Sequence, residues 1–178
     1  PVIAPSNILT SSSPIQNLLL LVFKYLVMDL KTLERELTKG RPIEDLMGQG
    51  SWQEFEEFCE SVLQEHEWKT RKNYRFKTKR RYEIDILAMK GNRILAVDCK
   101  HWGIRKGKKS QLASAIEKQK TRAKEFKKIN FFMEMERKHK ISPLIITWFE
   151  EDIIREKDTF VIPISKLNTF LLEIDKYL

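Results

Sequence analysis

The sequence is sparing in the residues that staple, bend or span. It has two cysteines, Cys59 and Cys99, with no metal-site spacing. Two thiols cannot build a disulfide framework, which points to a reducing cytoplasm. Glycine and proline number six each, which excludes fibrous and low-complexity chains. There is no internal repeat. The most apolar run, Leu18–Val27, is about ten residues, well short of the roughly 20 that cross a bilayer. No basic stretch precedes it, so it reads as a buried helix rather than a signal peptide.

What is abundant is positive charge on a globular background. The 178 residues suffice for one domain with a small appendage. Apolar residues make up 42% of the chain, the net charge is +8 and the pI is about 9.4. Such a balance favours polyanionic partners, nucleic acid or an anionic membrane. The basic residues are not laid along an amphipathic helix, so no membrane partner is expected.

Residues 14–47 read as helical, with Ser13-Pro14 as a start and Gly40-Arg41-Pro42 as a stop. Gly48-Gln49-Gly50 is a break. It divides a helical extension over 1–48, suited to packing, dimerisation or DNA contact, from a main domain over 49–178. Ser51 and Glu54 form a capping box, and Phe55, Phe58, Cys59, Val62 and Leu63 make an apolar stripe at helical spacing. Residues 69–81 read as an edge strand plus loop, and 82–100 as a hairpin. Residues 103–109 form a basic loop before a helix capped by Ser110 and running to about Glu136. Strands at 143–149 and 160–164 follow, then a helix capped by Ser165. The order α-β-β-β-α-β-β-α, with a crossover helix between the third and fourth strands, predicts an α/β fold: a mixed central sheet flanked by helices.

The hairpin carries the chemistry. Gly91-Asn92 between two apolar runs is a two-residue turn signal. Pairing Lys90 with Arg93 sets Ile86 against Val97 and Asp85 against Asp98. Opposed like charges destabilise a sheet, and a buried carboxylate pair is costly unless it shares a proton or meets a cation. A divalent metal resolves this. Asp85 and Asp98 are therefore candidate ligands, joined by the Cys99 backbone carbonyl. Lys100, on the same strand face as Asp98, is placed to orient water and to stabilise the oxyanion of phosphodiester hydrolysis. Magnesium, which prefers oxygen ligands, is the expected ion, with manganese as a substitute. His101 points to the opposite face and reads as a packed or exposed histidine. Trp102 stays open between packing and stacking on DNA.

Asp85, a hairpin and Asp98-Cys99-Lys100, preceded by a helix carrying glutamates, resemble the PD-(D/E)xK nuclease superfamily. Phe55-Glu56 with Val62-Leu63 and Trp68, the string Leu95 to Trp102, and Gln119 and Arg122 are similar to its Mrr-related archaeal branch and to archaeal Holliday-junction resolvases. The resemblance covers roughly residues 50–175. It implies a restriction-endonuclease-like α-β-β-β-α-β core and a glutamate on the first helix that completes the metal site: Glu56, with Glu57 as the fallback. Ile84 stands where the family has proline. Gln119 and Arg122 share a helix face and stay open between a surface pair and contacts to the site or to phosphate.

Lys69, Arg71, Lys72, Arg75, Lys77, Lys79, Arg80 and Arg81 enter the strand bearing Asp85, and Arg105, Lys106, Lys108 and Lys109 follow the strand bearing Lys100. Two basic stretches flanking one acidic site suit a phosphate channel. The expected function is a magnesium-dependent DNA endonuclease, acting as a homodimer because cutting two strands suits two-fold symmetry. A Holliday-junction or repair nuclease of the same fold, and a non-catalytic DNA-binding module, are the alternatives.

Overall fold

The computed structural model describes residues 35, 38–40, 51–101, 108–132, 139–148 and 155–178. Before residue 51, Arg35 and Thr38 are helical. The helix expected over Leu18–Val27, together with Trp102, Arg105 and Lys106, lies outside the described residues.

The elements are α1 (Trp52–Glu65), β1 (Lys69–Lys77), β2 (Arg81–Lys90), β3 (Arg93–Lys100), α2 (Lys108–Phe132), β4 (Lys140–Thr147), β5 (Arg155–Glu156), β6 (Thr159–Pro163) and α3 (Ile164–Leu172), with a closing 3-10 turn at Ile174–Lys176. The strands form one mixed sheet in the order β1-β2-β3-β4-β6-β5. β1, β2 and β3 are antiparallel neighbours, while β3, β4 and β6 run parallel. The 25-residue α2 supplies the crossover that parallel pairing of β3 and β4 requires.

Three expectations are corrected. The expected order lacks β5, a pair of residues antiparallel to β6 and too short to show alternation. The crossover helix starts at Lys108 rather than Ser110, so Lys108 and Lys109 belong to its first turn instead of a loop. α3 starts at Ile164 directly after Pro163, and Ser165 lies inside its first turn rather than at the cap. Pro163 has φ −64°, the value its ring imposes, which suits both a strand end and entry into a helix.

Local chemistry accounts for α1. The Ser51 hydroxyl accepts the Glu54 N–H at 3.2 Å, and the Glu54 carboxylate accepts the Ser51 N–H. The apolar stripe of α1 packs with Leu167 and Phe170 of α3 on one sheet face, against Ile86, Ala88, Leu95 and Val97. On the other face α2 sets Ala123 and Phe126 over Ile84, Leu87, Ile94 and Ala96, and Leu112 and Ile116 over Ile145 and Val161. β4 is covered on both faces, which explains its unbroken apolar run from Leu144 to Ile146.

The hairpin register is the expected one from Lys90–Arg93 to Ile86–Val97. Beyond that point the side-chain alternation slips. Ile86 and Ala88 face α1 and Leu87 faces α2, so strict alternation would turn Ile84 toward α1. Ile84 instead packs on the α2 side. The slip falls at Asp85. In β1 the pairs on both sides of Asn73 keep one register, yet the Asn73–Asp85 pair itself is missing, and Asn73 has φ 50°. Two neighbouring strands therefore lose their pleat together, one residue on each.

Asn73 sits in the left-handed region, which asparagine tolerates and β-branched residues do not. Asn73→Gly is expected to change stability by less than about 0.5 kcal/mol, whereas Asn73→Val should cost about 1–2 kcal/mol. Denaturant unfolding of the two variants checks this; equal stability would show that the left-handed backbone is not held there.

Candidate active site

The slip brings the candidate residues to the point where β2 and β3 part. In an antiparallel ladder hydrogen-bonded pairs alternate, so the next such pair after Ile86–Val97 would be Ile84–Cys99. Instead the Cys99 N–H donates to Asp85 Oδ2 at 2.8 Å. Asp85 thus replaces a backbone acceptor with its own carboxylate, and the expected direct pairing of Asp85 with Asp98 across the ladder does not occur. The strands part where that pairing would press two like charges together.

Asp98 emerges from β3 on the α2 side and is 1% exposed. Its Oδ1 accepts from Arg122 Nη1 at 2.6 Å, and its Oδ2 lies 2.7 Å from Lys100 Nζ. Two cations thus share one buried anion, which offsets the cost of withdrawing it from water. Arg122 is steadied by Gln119, whose Oε1 accepts from Arg122 Nη1 at 3.2 Å. Gln119 is fully buried and donates from Nε2 to the Ala96 carbonyl at 2.6 Å. Of these two residues, left open by the sequence, Arg122 holds Asp98 and Gln119 pins α2 to β3 beneath it.

Glu56 faces inward, as Cys59 and Leu63 do at i+3 and i+7. It is 5% exposed, and its Oε1 has no hydrogen-bond partner. Glu57, the fallback, is half exposed and pairs with Lys72 at 3.6 Å. Burial, and next the Asp85 charge, push the Glu56 carboxyl up to about 7. Burial, and next the Asp98 charge, raise Asp85 to about 6, although the Cys99 N–H, Lys100 and Arg122 pull the other way. The three carboxylates therefore form one electrostatic group, with Asp85 at its centre.

Oxygen donors of this kind suit a hard divalent cation. The fit rests on chemistry: Glu56 Oε1 is buried without a hydrogen-bond partner, and burial, followed by the charge of a neighbouring carboxylate, raises Glu56 and Asp85. Among the described residues no three His, Cys, Asp or Glu side chains are gathered tightly enough to form a ready-made cage. An ion at this position would be held by Asp85, Asp98 and Glu56 with the Cys99 carbonyl, and would share Asp98 with its two cations.

His101 is packed, its ring centroid 4.7 Å from Trp148 and 5.8 Å from Phe55, and burial lowers its pKa. Cys59 and Cys99 are buried, and burial pushes the Cys99 thiol well up, which makes it inert. Of the basic residues on β1, Lys72 lies 3.5 Å from Glu60 as well as near Glu57, Arg75 binds Glu83 at 2.8 Å, and Arg71 stacks over Tyr74. Lys69, Lys77, Lys79, Arg80 and Arg81 are exposed, with Lys69 at the turn end of the hairpin opposite Met89. Lys108 and Lys109 open α2, and their side chains are not among those described.

Over Asp98 and Lys100 opens a cleft of about 440 Å³, walled by Ser110, Gln111, Ser114, Ala115, Lys118 and Arg122 of α2. Sequence reasoning missed Ser114 and Lys118. Their signal is the i, i+4, i+8 spacing with Arg122, which places all three on one flank of the helix.

Comparison with known proteins matches the nuclease-related domain model to residues 49–154, more than half of the 178-residue chain. The chain belongs to the nuclease-related domain family. An uncharacterised protein of Archaeoglobus fulgidus is 25% identical over 128 residues, covering 71% of this chain and 94% of that protein. No solved structure gives a significant match. Membership bears out the resemblance to PD-(D/E)xK nucleases and makes the protein nuclease-related. Within the family match lie Glu56, Asp85, Asp98 and Lys100.

Ordinary values for Glu56 and Asp85 are 4.5 and 3.8, against about 7 and about 6 in the fold. Between about pH 4 and 7 the folded chain keeps protons that the unfolded chain has released, so these groups make stability fall as pH rises through that window. Glu56→Gln should melt close to wild type at pH 5 and clearly above it at pH 8. A variant whose melting shift is the same at both pH values would show that Glu56 does not titrate as its surroundings demand.

Proposed function

We propose that this chain is a magnesium-dependent DNA endonuclease that hydrolyses phosphodiester bonds, with manganese able to replace magnesium. The observation that carries the reading is the convergence of Asp85, Asp98 and Glu56 with Lys100 where β2 and β3 separate. Family membership supports nuclease chemistry, and the +8 net charge supports a polyanionic substrate.

When bound, the ion supplies Lewis acidity toward the phosphodiester and neutralises charge that builds on it. Asp85, Asp98 and Glu56 would hold it. Asp85 and Glu56 are protonated in part near neutrality, so they must give up protons before they can do so. Lys100 Nζ lies 2.7 Å from Asp98 Oδ2, in position to orient water and to meet the negative charge of the transition state. Arg122 and Gln119 keep Asp98 turned toward the cleft. Cys99 contributes through its backbone: its N–H fixes Asp85, and its carbonyl is the further oxygen donor. Pairing of two copies of the chain would place two such sites on the two strands of a duplex.

Plasmid nicking in magnesium tests the reading. Lys100→Ala and Asp98→Ala are expected to lose of the order of 10²–10³-fold in rate, with DNA binding retained. Wild-type nicking should rise with pH from about 5 to about 8 as Asp85 and Glu56 ionise. Equal nicking by wild type and Lys100→Ala, or none by wild type with either metal, would end the catalytic assignment. A separate reading is thermal: magnesium should raise the melting temperature of wild type more at pH 8 than at pH 5 and have little effect on Asp98→Asn.

A further inference from the structure

A second cleft, of about 540 Å³, continues along α2 beyond the first and is lined by Arg80, Arg81, Tyr82, Glu83, Ser114, Glu117, Lys118, Thr121 and Arg122. The two clefts share Ser114, Lys118 and Arg122. They therefore form a single track, running from Asp98 and Lys100 past one flank of α2 to the β1–β2 connection.

The charges along this track do not balance within the fold. Each acid in its walls already has a cation: Asp98 has Arg122 and Lys100, Glu83 has Arg75 at 2.8 Å, and Glu117 has Lys120 at 3.0 Å. Lys118, Arg80 and Arg81 are exposed and have no carboxylate partner among the described residues. Three cations are left over, on opposite walls of a groove, with the Ser114 hydroxyl between the two clefts as a neutral donor. A single small anion would satisfy one end of such a track. A ligand with negative charge at regular intervals satisfies its length.

We propose that this track seats the sugar–phosphate backbone of DNA on one side of the bond to be cut, with Lys118 meeting a phosphate from α2 and Arg80 and Arg81 meeting the backbone from the β1–β2 connection. The assignment rests on the nuclease reading and adds to it the path of the substrate strand. It makes Lys118 a substrate-binding residue and gives α2 a second task besides carrying the chain between parallel strands. These contacts reach backbone rather than base edges, so they supply affinity and register without sequence choice.

The test is fluorescence anisotropy of a short labelled duplex in EDTA, where no cleavage occurs, comparing wild type, Lys118→Gln and Lys127→Gln. Lys127 is exposed on the same helix, nine residues on and half a turn of phase away, and its removal changes net charge by the same amount. Lys118→Gln is expected to weaken binding about fivefold and to lower the salt dependence by about one phosphate contact. Lys127→Gln should bind within about twofold of wild type. Equal losses in the two variants would reduce the track to general electrostatic attraction, and an unchanged Lys118→Gln would remove it altogether. Either result, with wild type still nicking plasmid, overturns the track and leaves the catalytic site standing. A wild type that neither binds duplex nor nicks it overturns both. Both positions are exposed, and unchanged melting temperatures establish that the variants fold.

Discussion

Carboxylates on neighbouring strands repel when the ladder sets them opposite each other, and the β2–β3 hairpin meets that repulsion at Asp85 and Asp98. A short apolar hairpin cannot move them apart by sliding, because a one-residue slide would turn its whole buried set toward the wrong face. The strands separate instead. Asp85 takes the Cys99 N–H that the next ladder pair would have used, Asn73 adopts a left-handed φ beside it, and the side-chain alternation slips by one residue. The break is local, since the register on the turn side of it is regular from Lys90–Arg93 to Ile86–Val97.

The two aspartates are then treated differently, and the difference follows from what surrounds them. Asp98 is almost fully buried, with Arg122 and Lys100 both on it. Asp85 has one backbone N–H and the charge of Asp98 nearby, and burial leaves it raised to about 6. Glu56, buried from the opposite helix, is raised further. An acidic group that is partly protonated at neutral pH is poised to exchange protons for a cation. A fold arranged only for stability would place apolar side chains at these positions. The chemistry of the site and its cost to stability thus come from the same burial.

Much of the scaffold was legible because it follows from local chemistry. The capping box at Ser51 and Glu54, the apolar stripe of α1, the Gly91-Asn92 turn with its register, and the parallel β3 and β4 joined by a long helix all rest on interactions within a few residues or on chain connectivity. The inward placement of Glu56 was less legible, since four glutamates lie between residues 54 and 60; helix phase together with packing on the sheet set Glu56 beside Cys59 and Leu63. Other features left no local mark. β5 has two residues, and the start of α2 at Lys108 depends on how the chain leaves β3. The link from Arg122 through Asp98 to Lys100 joins positions 22 residues apart in sequence (122 minus 100).

The sequence alone determined which residue types were available and the order in which they arrive: a hairpin carrying two aspartates, a lysine two positions on, an acidic helix before them and a strongly basic chain around them. Periodicity and turn chemistry suffice for that, because they act between near neighbours. Tertiary structure alone decided that the aspartates do not sit face to face, that Gln119 and Arg122 reach back under the sheet to hold one of them, and that Lys118 lines a groove with Arg80 and Arg81. Those outcomes depend on electrostatic repulsion, burial and helix placement acting between segments far apart in the chain, and no window of neighbouring residues contains them.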